Sequence, residues 1–83
     1  SEAAKKYIIV IYSEKEKKEY FVGSGEKIVN HQNECKFFSI KDALKKRNEV
    51  VNKYAKLISD IGGVVKIMDP DTGRNHDVRN SNF

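Results

Sequence analysis

The sequence is short of the features that staple a small secreted domain or anchor a membrane protein. Its 83 residues contain one cysteine, Cys35, so no disulfide can close within the chain and no cysteine-only metal site can form. Tryptophan is absent, and proline and methionine occur once each. The longest apolar run, Tyr7 to Tyr12, is far below the ~20 residues that a spanning helix needs. The N-terminus lacks the charged, apolar and cleavage-site succession of an export signal. A lone thiol without a leader leads us to expect a cytoplasmic protein with no membrane partner.

What is present is charge, which makes up 34% of the residues against 39% apolar, the balance of a globular domain. The length suits one domain with a small core. We place it over residues 6–79, with residues 1–5 as a tail and 80–83 as a fraying end. The net charge is +4, and Lys outnumbers Arg 13 to 3. That balance permits a polyanionic partner. The scarcity of Arg, the usual reader of base edges, argues against sequence-specific DNA recognition.

Residues Lys6 to Tyr12 are β-branched and aromatic and predict a strand, and Glu19 to Gly23 predicts a second. The charged stretch between them reads as the solvated tip of a hairpin. Ser24 to Cys35 is irregular, with Ile28-Val29 as a short strand segment, and Lys36-Phe37-Phe38 returns the chain to the core. Ser39 then caps a helix, with Asp42 three residues on and Phe38 stapling to Ala43 or Leu44. The stripe Ile40, Leu44, Arg47, Val51, Tyr54, Ile58, Ile61 has the helical period and predicts one helix from Ile40 to Ile61, ended by Gly62-Gly63. Arg47 interrupts the stripe, with its stem along the apolar edge and its head in water. Val64 to Met68 is a further strand. Asp69-Pro70-Asp71-Thr72-Gly73 is a turn in which Asp71 bonds nearby backbone and Gly73 takes positive φ. An edge strand from Arg74 to Arg79 completes the list.

The expected fold is α+β: a single small antiparallel or mixed sheet, ββαβ or ββαββ, packed on one long amphipathic helix. Its most informative feature is the first strand, which is apolar on both faces. In a symmetric hairpin Val10 and Phe21 share one face, and Ile9, Ile11, Tyr20 and Val22 share the other. One helix covers one face. The second needs the Ser24–Lys36 loop, a ligand or a second chain, because a large bare apolar patch is unusual on a monomer. We therefore take Tyr7, Ile9, Ile11, Tyr20 and Val22 as a candidate protein interface, with a homodimer or another protein as the partner.

The helix carries six basic residues against three acidic ones, and Lys41, Lys45 and Arg47 lack obvious local partners. With Lys17 and Lys18 on the hairpin they form a candidate polyanion-binding set. The competing explanation is a solvated face with Asp42–Lys46, Glu49–Lys53 and Lys56–Asp60 pairs. Tyr7, Tyr12, Tyr20 and Phe21 near lysines could stack single-stranded bases, although no RNP-like consensus occurs and core rings explain them as well. Gly23-Ser24-Gly25-Glu26-Lys27 looks like a phosphate loop but lacks the following pattern and an adjacent helix. His31, Cys35, His76 and the aspartates Asp69, Asp71 and Asp77 do not make a metal-ligand set. Cys35 with His31 is the only nucleophile–base pair close in sequence, and no third group orients it. No catalytic residue, metal, cofactor or small-molecule substrate is expected.

The segments Phe37-Phe38-Ser39-Ile40-Lys41-Asp42-Ala43-Leu44, Gly62-Gly63-Val64-Val65-Lys66-Ile67 and Asp69-Pro70-Asp71-Thr72-Gly73-Arg74 resemble short phage, prophage and mobile-element proteins built as hairpin–helix–strand modules. The resemblance covers about half the chain, mostly capping and turn signals. The helix start is also similar to that of the arm-type DNA-binding domains of phage integrases, which place three strands before the helix. The resemblance implies a small non-enzymatic accessory protein in the host cytoplasm and transfers no catalytic residues. Two functions follow as expectations: protein binding, by self-association or by inhibiting a host complex such as a defence system, and nucleic-acid binding through the basic helix and aromatic hairpin.

Overall fold

Five antiparallel strands form one open sheet in the order β3-β2-β1-β4-β5, with two helices in the connection between β3 and β4. The computed structural model of the chain describes residues 5–76. The strands are β1 (Ile8–Ser13), β2 (Lys18–Val22), β3 (Ile28–Val29), β4 (Gly63–Met68) and β5 (Asn75–His76), and the helices are α1 (Ile40–Lys53) and α2 (Ala55–Asp60). The α+β class therefore holds with a wholly antiparallel sheet, but the order is βββααββ rather than ββαβ or ββαββ, because Ile28-Val29 pairs with β2 as a third strand before the helices. Of the boundaries drawn from sequence, residues 1–4 and 77–83 lie outside the described residues. Lys5, placed in the tail, is held by an ion pair to Asp69 at 2.7 Å.

The most apolar strand, β1, is central, with β2 and β4 on either side. Its register sets Val10 beside Phe21 and Ile11 beside Tyr20, the sharing of faces expected from a symmetric hairpin. On one face Ile9, Ile11, Val22 and Ile67 pack with Phe38, Ala43, Val50 and Ile61 of the helical connection and its flanks. On the other, Ile8, Val10 and Phe21 pack with Val29, Cys35 and Met68. Ile8, Ile9, Ile11 and Ile67 are wholly buried, each stabilising the fold by about 1.5–3 kcal/mol relative to an exposed side chain. The irregular segment after β3 supplies Cys35 to the second face and is held to β2 by Lys36 N–H donating to the Val22 carbonyl at 2.9 Å.

Helix α1 begins as expected. The Ser39 hydroxyl accepts from the Asp42 N–H at 3.2 Å, and Phe38 and Ala43 share the core beneath. It ends earlier than the periodicity predicts. Tyr54, at φ −110° and ψ 27°, separates α1 from α2, so the expected single helix from Ile40 to Ile61 is two. Periodicity misses this break because the apolar stripe continues through it. Tyr54 is anchored sideways, its hydroxyl donating to the Glu26 carbonyl at 2.6 Å. Gly62 ends α2 at φ +59°, a conformation glycine adopts without strain. In the β4–β5 turn the backbone-binding carboxylate is Asp69 rather than Asp71: its Oδ1 accepts from the Asp71 N–H at 3.0 Å.

Candidate polyanion-binding groove

The five residues proposed from sequence as an interface do not form one. The helices cover the sheet face that bears them. Ile9, Ile11 and Val22 are wholly buried, and Tyr7 and Tyr20 are half-buried at the margin of the same core. Tyr20 also donates its hydroxyl to Glu16 Oε1 at 2.6 Å, which raises its pKa above that of an ordinary tyrosine. The opposite face is covered within the chain by Val29, Cys35 and Met68. Thus neither apolar face of β1 requires a second chain.

The basic candidates separate into two groups. Tyr7 and Phe38 exchange backbone hydrogen bonds at 2.7 and 2.8 Å, which sets the start of α1 beside the start of β1. The β1–β2 turn lies at the far end, where Glu14 N–H donates to the Gly62 carbonyl and Lys15 N–H to the Ile61 carbonyl. The start of α1, with Lys41 and Lys45, therefore lies towards one end of β1 and Lys17 and Lys18 lie at the other, and the six residues of that strand span about 20 Å. Arg47 belongs with neither. It is half-buried, its Nε is enclosed without a hydrogen-bond partner, and its Nη1 donates to Asn48 Oδ1 at 3.4 Å.

At the α1 end the fold adds residues that the sequence reading passed over. Lys6, Lys36, Phe37, Ser39, Asp42 and Lys45 line an open groove of about 320 Å³. It adjoins a hollow of about 260 Å³ along Gly23, Gly25 and Glu26, the two sharing Lys36, Phe38 and Lys46. Among the described residues Lys6, Lys36, Lys41 and Lys45 are exposed and make no ion pair with a carboxylate. Phe37, expected in the core, is 51% exposed beside them. The reason is the parity of an extended chain: Phe38 turns inward to cover Ile9 and Ala43, so its neighbour turns outward. That signal was available, because the staple position at Phe38 fixes the side on which Phe37 must lie.

The groove floor is stiffened by a charge network. Lys46 Nζ donates to Glu26 Oε2 and to Glu49 Oε1, both at 2.7 Å, and Lys53 lies 3.6 Å from Glu26 Oε1. The Lys46 hydrogen bond, followed by the influence of Glu49, holds the Glu26 carboxyl below its ordinary pKa, and Lys46 is raised in return. Of the helix pairs expected from spacing, Lys56–Asp60 forms at 3.1 Å. Lys46 and Lys53 turn instead to Glu26 on the neighbouring loop, leaving Asp42 without the pairing expected for it.

The remaining candidates are dispersed. His31 is exposed, whereas Cys35 packs against the second sheet face, and burial pushes its thiol pKa up. Among the described residues no group of three or more His, Cys, Asp or Glu could hold a metal ion. Gly25 and Glu26 both have positive φ, and the Glu26 carboxylate is committed to the lysine network. Tyr12 lies under Lys66 with 5.4 Å between Nζ and the ring centre, and Phe21 is buried, so the hairpin offers no open stacking surface of the kind expected. No helix of the described residues is long and apolar enough to cross a membrane. No protein-family model, curated protein or solved structure matches the chain.

Proposed function

We propose that this protein is a non-enzymatic nucleic-acid-binding accessory module, of the kind that phages and mobile elements encode. The observation that carries this reading is the convergence of Lys6, Lys36, Lys41 and Lys45 on one end of the sheet with no carboxylate partner among the described residues. Cations left unpaired by their own chain gain most from a phosphate backbone, through direct attraction and through release of its condensed counterions. Lysine suits tracking of a backbone, as a compact charge on a flexible stem, whereas the planar fork of arginine suits the reading of base edges. Binding by self-association has less support, because, of the residues that motivated it, Ile9, Ile11 and Val22 are core and Tyr7 and Tyr20 pack half-buried against that core.

The test is binding of a fluorescently labelled oligonucleotide followed by anisotropy across a salt series. Four lysines, each neutralising one phosphate, give a slope of log K against log salt of about −3 to −4. Absence of binding at ~50 mM salt, where phosphate contacts are strong, or a slope near zero, would refute the reading.

A further inference from the structure

We infer that the nucleic acid held in this groove is single-stranded and that the Phe37 ring is the platform on which one base stacks. The inference rests on the nucleic-acid reading above and adds the strand state and the residue that selects it. Among the described residues three large apolar side chains are substantially exposed, Phe37, Leu57 and Val64, and of these only Phe37 lies among the groove lysines. An isolated aromatic ring in a field of cations offers little to a protein partner, which needs a contiguous apolar patch. It offers a great deal to an unpaired base, whose flat face is apolar and whose phosphate is anionic.

The backbone that carries the ring is pinned before any ligand arrives. The backbone on one side of Phe37 is tied by Lys36 N–H to the Val22 carbonyl at 2.9 Å. On the other side Phe38 exchanges two hydrogen bonds with Tyr7. Fixing that backbone in advance lowers the ordering cost of binding. Lys6, Lys36 and Lys45 line the groove with the ring, Asp42 and Glu49 sharing its wall, and the adjoining hollow at Gly23 and Gly25 extends the space open to a strand backbone. In a duplex the base faces are stacked on one another, so Phe37 could meet only sugar, phosphate and base edges. A single strand leaves a face free. Stacking accepts every base, so the preference is for strand state rather than sequence.

The experiment compares an oligothymidine of about 12 nucleotides, within the site sizes of small single-strand binders, with a mixed-sequence duplex, inorganic polyphosphate and an oligoglutamate peptide. The oligothymidine should bind at least ~10-fold more tightly than the duplex. Phe37→Ala should weaken single-strand binding by roughly 10-fold while leaving polyphosphate binding unchanged. Phe37→Leu, which keeps apolar bulk without a π face, should lose affinity likewise, and Phe37→Trp should retain it. Thermal melts by circular dichroism establish that each variant is folded. Should the alanine variant fail that check, the contrast between the leucine and tryptophan variants decides. Unchanged single-strand affinity in Phe37→Ala, equal affinities of Phe37→Leu and Phe37→Trp, or equal competition by duplex, polyphosphate or oligoglutamate would overturn the stacking inference and leave only a polyanion-binding surface. Failure of every polyanion to bind would overturn the nucleic-acid reading itself.

Discussion

The two ends of the central strand both carry lysines, yet they differ in what those lysines are free to do. At the β1–β2 turn Lys15, Lys17 and Lys18 alternate with Glu14, Glu16 and Glu19, so the local field cancels. That end is also clamped. Buried Ser13 donates its hydroxyl to the Ile61 carbonyl at 2.7 Å and accepts from the Glu16 N–H at 2.9 Å, and Lys15 Nζ donates to the Asp60 carbonyl at 3.0 Å. At the α1 end, Lys6, Lys36 and Lys45 come from three separate segments and line one groove, with Lys41 on the same first turns of α1, and none of the four pairs with a carboxylate among the described residues. The difference shows that a modest net charge can conceal a concentrated one. What matters is whether the fold returns an acid to each base.

The strongest way to break this contrast is to reverse the charge at the open end. Lys6→Glu, Lys36→Glu and Lys45→Glu together should lower oligonucleotide affinity at least ~100-fold at moderate salt, because phosphate attraction becomes repulsion. The melting temperature should hold, since none of the three has an ion pair to lose. Retained affinity by anisotropy would place the binding surface elsewhere.

The clamped end should respond in the opposite sense. Ser13→Ala leaves the buried Ile61 carbonyl and the Glu16 N–H without their hydroxyl partner and should cost about 1–3 kcal/mol of folding stability. Oligonucleotide affinity of the folded protein should be unaltered. An unmoved denaturation midpoint would show that the hydroxyl does not tie the turn to the end of α2.

The smallest effect sharpens the comparison. Lys17→Glu with Lys18→Glu should change affinity less than ~2-fold at ~0.1 M salt. The turn lies at the far end of a strand that spans about 20 Å, twice the ~10 Å screening length. A loss approaching that of the triple reversal would mean that the polyanion runs the length of the sheet and that both lysine groups belong to one site.

How far each feature could be read in advance follows from the range of the interaction behind it. The hairpin register, the Ser39 cap, the Gly62 stop and the turn closed by Gly73 at φ +75° are local, set by residues within a few positions of one another. The covering of the second face of β1 was one of three open alternatives, and Cys35 with Val29 resolves it through a segment that has no periodicity to reveal its partner. The candidate site was half legible. Lys41 and Lys45 stand out on the helix surface, but Lys6 and Lys36 gain meaning only from the Tyr7–Phe38 pairing that brings them alongside. Lys17 and Lys18 looked equivalent to the helix lysines because sequence carries no record of which end of a sheet a loop occupies.

By itself, then, the chain determined an α+β domain with a two-faced central strand, a capped amphipathic helix and a basic balance held mostly by lysine. Periodicity, capping and composition are properties of neighbours along a chain. Tertiary structure alone decided that both faces of β1 would be sealed from within, that Lys46 and Lys53 would turn to Glu26, and that Phe37 would stand exposed among unpaired lysines. Those outcomes depend on which segments meet across the sheet, and the packing of the helices against it, rather than any local preference, sets that meeting.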